Sequence, residues 1–135
     1  MPGRQIEFTQ EAPVPQPTAA LFYVEDMVKS SAFYTDLFER TPAVASPFYA
    51  MYKLDNGFEV AIYDRKKLNP PNAIPAGSSE LGFLVPDKAA LEALHTQWVA
   101  KGIPIIMEPV KMYFGGIHFM ATDPDGHRLR VATPD

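Results

Sequence analysis

The chain has 135 residues, 47% of them hydrophobic, with no cysteine and a formal net charge of −4. That is apolar material for one domain, or for two small modules sharing a core, and it excludes disulfide, zinc-thiolate and thiol chemistry. The acidic balance, with no basic run longer than Arg65-Lys66-Lys67, argues against nucleic acid and membrane partners; with no apolar run long enough to span a bilayer and no apolar leader after Met1, the expectation is a soluble cytoplasmic protein.

Residues 1–17 read as an N-terminal extended arm, because the alternating Pro13, Pro15 and Pro17 favour polyproline-like backbone over helix. Ile6 and Phe8 are the arm's apolar anchors. Residues 18–24 form a strand that runs into Asp26, a good helix N-cap. Met27, Phe33, Tyr34, Leu37 and Phe38 follow at helical spacing. Pro42 and Pro47 bound a short irregular strand. Residues 48–54 and 58–63 then form a hairpin around Asp55-Asn56-Gly57, a strong turn signal. These elements make a first module over residues 18–64.

Residues 65–78, rich in Pro, Asn, Gly and Ser, read as a linker. The second module, residues 79–135, opens with a strand at 80–85. Asp87 caps a helix that runs through Lys101 with Leu91, Leu94, Trp98 and Val99 on one side, and Gly102 is its C-terminal stop. A strand from Ile103 to Val110 is interrupted by Pro104. Strands from Tyr113 to Thr122 and from His127 to Thr133 form the last hairpin around Asp123-Pro124-Asp125-Gly126. Gly115-Gly116 reads as a bulge or kink in the first of these strands.

The two modules repeat one pattern. Leu21-Phe22-Tyr23-Val24-Glu25-Asp26 matches Gly82-Phe83-Leu84-Val85-Pro86-Asp87, Phe33 matches Leu94 and Leu37 matches Trp98. Asn56-Gly57 and Asp125-Gly126 each precede a final strand. A duplicated unit implies a pseudo-twofold arrangement with a site between its copies. The combination of Val24-Glu25-Asp26, the helical Ser30-Ser31-Ala32-Phe33-Tyr34 and the late Asp123-Pro124-Asp125-Gly126 resembles the vicinal oxygen chelate superfamily, which holds glyoxalases, bleomycin-resistance proteins and extradiol dioxygenases. The resemblance implies an α+β fold of tandem βαβββ modules whose sheets curl around a cavity, in a homodimer.

The superfamily's enzymes hold a divalent metal in that cavity, with ligands from the first and last strands of each module. Counting from the matched motifs, those four places here are Ala19, Ala61, Glu80 and Arg130. Alanine has no donor atom, and a guanidinium cannot give up its proton to bind a cation. No metal and no other cofactor is expected, and no catalytic residue is assigned.

Strand alternation extends the reading. If those four residues face the cavity, so do Leu21, Tyr23, Glu59, Tyr63, Gly82, Leu84 and Arg128. Their apolar neighbours, from Phe22 and Val24 to Leu129 and Val131, face the helices. Closing the two hairpins with even registers adds Tyr52 opposite Ala61 and Phe119 opposite Arg130. The expected ligand-binding set is Tyr23, Tyr52, Tyr63, Glu80, Phe119, Arg128 and Arg130, with Arg130 either neutralising Glu80 or anchoring a ligand oxygen. The histidines make no constellation. His95 sits on the helix at the position of Tyr34, His127 is expected on the surface after its turn, and His118 is expected to face away from the cavity.

This set suits metal-free sequestration of a small planar aromatic compound, in the manner of the bleomycin- and phenazine-resistance proteins. The alternatives are a glyoxalase- or dioxygenase-like lyase or isomerase with a non-standard metal site, and a regulatory module whose cavity is filled by its own side chains.

Overall fold

The computed structural model describes residues 16–135. Most of the expected N-terminal arm, with Ile6 and Phe8, lies outside the described residues. The first unit runs β1 (Ala19–Val24), α1 (Met27–Phe38), β2 (Val44–Ala45), β3 (Tyr49–Lys53) and β4 (Glu59–Asp64). A 3-10 turn, Arg65–Lys67, follows. The second unit runs β5 (Glu80–Leu84), α2 (Lys88–Ala100), β6 (Ile105–Lys111), β7 (Ile117–Thr122) and β8 (Arg128–Ala132). Each unit is a βαβββ module, and the sheet orders β1-β4-β3-β2 and β5-β8-β7-β6 are the same order twice. β1 lies parallel to β4 and β5 parallel to β8, while the hairpin pairs are antiparallel.

Both helices start where a side chain can cap them. Asp26 accepts from the Lys29 backbone N–H at 3.1 Å, and Asp87 accepts from that of Ala90 at 2.9 Å. Gly102, with φ 76°, takes the left-handed conformation just past α2. The helices cover one face of each sheet. Phe22, Val24, Tyr34, Leu37, Val60 and Ile62 are buried in the first module, and Leu91, Trp98, Phe119, Leu129 and Val131 in the second, all within one continuous core.

The hairpins depart from the expected register. Leu54 pairs with Phe58 and Asp123 with His127, so each turn is a three-residue loop closed by a glycine at positive φ, Gly57 at 88° and Gly126 at 92°. Met51, not Tyr52, therefore lies opposite Ala61, and Met120, not Phe119, lies opposite Arg130. A one-residue slip sends every side chain of a strand to the other face. The strand expected from Tyr113 also begins later, at Ile117. Residues 112–116 form a loop closed by Met112 N–H to Gly116 O at 2.9 Å and Gly115 N–H to Met112 O at 3.1 Å. No helix among the described residues is long and apolar enough to cross a membrane.

Candidate functional site

The register decides which expected residues can meet a ligand. Tyr52 is fully buried under α1, its hydroxyl shared with Thr35 Oγ1 at 2.9 Å and donating to Ser31 O at 3.0 Å. Burial pushes its phenol pKa up. Phe119 is fully buried under α2, edge-on to Trp98 and His95. Both are core residues, which corrects their assignment to the cavity wall.

The remaining expected residues divide between the two sheets. Tyr23 and Tyr63 are register partners on β1 and β4, and Tyr63 meets Tyr49 edge-on with ring centroids 5.8 Å apart. Tyr23 also borders a cavity of about 250 Å³ with Leu21 and residues of the 72–79 segment. On the second sheet Arg130 donates to Glu80 from Nε at 3.0 Å and from Nη2 at 3.4 Å. Arg128 is exposed in register with Glu80.

His118 joins this second group against expectation. The shifted register turns it to the Arg130 side of the sheet, where its Nδ1 accepts from Arg130 Nη1 at 3.2 Å, so the proton of the neutral ring sits on Nε2. Arg130 is thus held in a fixed fork between Glu80 and His118. Beside it lies a depression of about 220 Å³ lined by Gly82, Phe83, Leu84, Arg130 and Ala132. Its floor is made of small residues, and Leu84, 75% exposed, stands at its edge. The Glu80–Arg130 pair keeps side-chain exposures of 41% and 25%, so water screens it and its stabilisation is worth at most about 1 kcal/mol. An ion pair that contributes so little can exchange one partner for a ligand.

The late Asp-Pro-Asp-Gly motif forms a different, buried centre. Asp123 Oδ2 accepts from the Tyr34 hydroxyl at 2.6 Å, and its Oδ1 accepts from the Asp125 and His127 backbone N–H groups at 2.9 and 2.8 Å. The His127 ring stacks on Phe22 at 4.7 Å and is 2% exposed, which corrects its expected surface position. The residues that carried the resemblance in α1 and in the last hairpin are therefore in contact.

A tandem βαβββ pair with this signature, read against known sequences, decides the family: the model for the glyoxalase/bleomycin resistance protein/dioxygenase superfamily matches residues 5–131. The chain belongs to that superfamily. Among its superfamily relatives, the phenazine antibiotic resistance protein EhpR of Enterobacter agglomerans is 30% identical over 126 residues, covering 91% of this chain and 95% of EhpR. Protein ATC0852 of Agrobacterium tumefaciens has a solved structure that superposes with a TM-score of 0.75 at 32% identity, covering 89% of this chain and 98% of that one. A glyoxalase/bleomycin resistance protein/dioxygenase from Nocardioides superposes at 0.79 with 17% identity, covering 92% and 86%, a likeness of fold.

The divalent metal of the superfamily's enzymes does not fit the residues here. Ala19 and Ala61 offer no donor, and Arg130 places a permanent cation beside Glu80. A second cluster, Asp123, Asp125 and His127, has ligand atoms within 4.8 Å of one another. The Asp123 and His127 donors are already engaged in hydrogen bonds, while Asp125 Oδ2 is buried without a partner. Both Asp123 oxygens accept hydrogen bonds, and His127 Nδ1 accepts from the Ser79 N–H at 3.3 Å while Nε2 faces Tyr23 O at 3.4 Å.

Proposed function

We propose that this protein binds a small planar aromatic anion without a metal, in a resistance-protein-like role, and that Arg130 is the anion's anchor. The observation that carries the reading is the pair at the superfamily's ligand places in the second module. Glu80 and Arg130 form a half-exposed, preorganised fork over a small-residue floor, where a metal enzyme would present donors. Guanidinium forks match carboxylates in shape and charge. The kinship with a phenazine antibiotic resistance protein supports an aromatic, drug-like ligand. Arg128 adds positive charge to the same face, and Tyr23 and Tyr63 offer rings on the first sheet. Sequestration in the cytoplasm by a homodimer is part of this reading, and the exposed Leu21 and Leu84 on the two sheet faces support self-association.

Two measurements test it. Titration with planar aromatic carboxylates is expected to give saturable binding that Arg130→Gln weakens about ten- to a hundredfold, the range for a hydrogen-bonded charge. The compound should be recovered unchanged. Elemental analysis after dialysis against mixed divalent ions is expected to find no stoichiometric metal. About one Zn, Ni, Fe or Mn per chain, or turnover of the compound, would overturn the reading in favour of an enzyme. Sedimentation at micromolar concentration should report twice the chain mass.

A further inference from the structure

Removing Tyr52 and Phe119 from the cavity wall leaves the Arg130 fork without the aromatic partners a planar ligand needs. The structure supplies two others. In the 112–116 loop, Phe114 meets the His118 ring edge-on with centroids 5.2 Å apart, and Tyr113 meets Phe114 edge-on at 5.0 Å. His118 is in turn the residue hydrogen-bonded to Arg130 at 3.2 Å. Phe114 therefore stands one side chain, His118, away from the guanidinium, and His118 pairs in register with Ala132.

These rings are not core. Tyr113 is 98% exposed and Phe114 58% exposed, a costly placement for adjacent aromatic residues on a loop. Nor is the loop loosely placed. It is closed by its own backbone hydrogen bonds, and Gly115 and Gly116 both take positive φ, at 109° and 79°. A Cβ on Gly116 would lie 2.5 Å from Thr133 O and 3.3 Å from His118 Nε2, so only glycine lets the loop press this closely onto Thr133 and His118. Across the sheet the order is then Gly82 and Leu84 on β5, Arg130 and Ala132 on β8, His118 on β7, and Phe114 in the loop beside His118.

Building on the Arg130 reading above, we propose that the 112–116 loop supplies the stacking wall of that site. Phe114 selects for planar aromatic rings, held in place by His118 and backed by Tyr113, while Arg130 selects for the carboxylate. The ring of the ligand lies against Phe114 over Ala132 and Gly82, and its carboxylate takes the place of Glu80 on Arg130. The Gly82 floor has a purpose in this arrangement. A Cβ there meets no atom within 4 Å, and Gly82 has no positive φ, so packing and backbone both tolerate a larger residue. Leu21 occupies the matching position on β1.

Isothermal titration of the full chain with phenazine-1-carboxylate and with unsubstituted phenazine tests this. Phe114→Ala is expected to weaken both probes about three- to tenfold, the worth of one aromatic stack, and Phe114→Trp to restore them. Gly82→Leu is expected to abolish binding of both, and Arg130→Gln to weaken only the carboxylate. Thermal melting without ligand should be unchanged in Phe114→Ala and Gly82→Leu. If Arg130→Gln discriminates between the probes but Phe114→Ala changes neither, the loop is not the wall and the inference falls while the Arg130 reading stands. If the wild-type chain binds neither probe, the Arg130 reading itself falls and takes the inference with it.

Discussion

The repeat builds two junctions between the modules from matching positions, and they have opposite character. At one, Tyr34 from α1 reaches Asp123, and His127 stacks on Phe22. At the other, the equivalents of Tyr34, Asp123, His127 and Phe22 are His95, Leu54, Phe58 and Phe83. The first junction is closed and polar at its centre, and it leaves Phe22 at 4% and Val24 at 0% exposure. The second is an apolar groove of about 650 Å³ between Leu54, Phe58 and Val60 on one side and Leu81, Phe83 and Leu94 on the other. There the β5 residues facing the helices stay half-buried. The backbone of the two turns is nearly the same, with Leu54 N–H to Phe58 O at 2.9 Å and Asp123 N–H to His127 O at 3.0 Å. Duplication fixed the backbone, and side-chain chemistry then specialised one junction as a lock. The signature residues Tyr34 and Asp123 serve that lock.

The largest expected effect is at the lock. Asp123→Ala removes the acceptor of three buried or half-buried donors and should cost about 3–5 kcal/mol in urea unfolding. Its counterpart Leu54→Ala, in the open groove, should cost only about 1–2 kcal/mol. Equal losses would break the comparison.

Tyr34→Phe should cost about 1–3 kcal/mol at neutral pH by leaving Asp123 Oδ2 without its hydroxyl donor. It should also change the alkaline limb. Burial, then the nearby Asp123 charge, hold the Tyr34 phenol far above its ordinary pKa of 10.0. The folded protein keeps this proton where the unfolded chain releases it, so stability falls as pH rises above about 10. The variant should lose part of that fall, with Tyr52, shifted the same way, supplying the remainder.

Leu94→Phe, copying Phe33 into the groove, should raise stability by about 0.5–1 kcal/mol, because it fills space that is already apolar. A loss would mean that the groove's shape is set by its present side chains. The smallest effect belongs to Asp125. Burial raises its carboxyl pKa, partly offset by the Glu25 backbone N–H, and its Oδ2 is buried without a partner. The folded state therefore binds this proton more tightly than the unfolded chain. Stability falls as pH rises from the usual carboxylate range of 3.8 through the raised value. Asp125→Asn should remove that slope in acid melts and gain a few tenths of a kcal/mol at pH 7, the contribution being screened by water.

Much of the fold was legible in one dimension because its signals are local. Asp26 and Asp87 cap the helices from three residues away, the glycine turns mark both hairpins, and the alternation along β1, β4, β5 and β8 places Phe22, Val24, Val60, Leu129 and Val131 on the helix side. The Glu80–Arg130 contact followed from the same alternation. What failed was the register of β3 and β7. Even registers around Asp55-Asn56-Gly57 and Asp123-Pro124-Asp125-Gly126 place Tyr52 opposite Ala61 and Phe119 opposite Arg130, whereas Gly57 and Gly126 each end a three-residue loop. The signal was present in Pro124-Asp125-Gly126, which is itself the three-residue loop. That slip alone exchanged Tyr52 and Phe119 for Met51 and Met120 on the faces of Ala61 and Arg130 and brought His118 to Arg130.

The sequence by itself determined the duplicated βαβββ plan and its caps and turns, because each is set by residue type at short separation. Only the tertiary structure decided that Tyr34 meets Asp123 89 residues away, that His127 is buried against Phe22, and that Phe114 stands beside His118. Those contacts depend on hairpin register and on how two modules pack. Both are settled by burying apolar faces and satisfying buried donors across the whole chain, a condition that no local stretch of residues expresses.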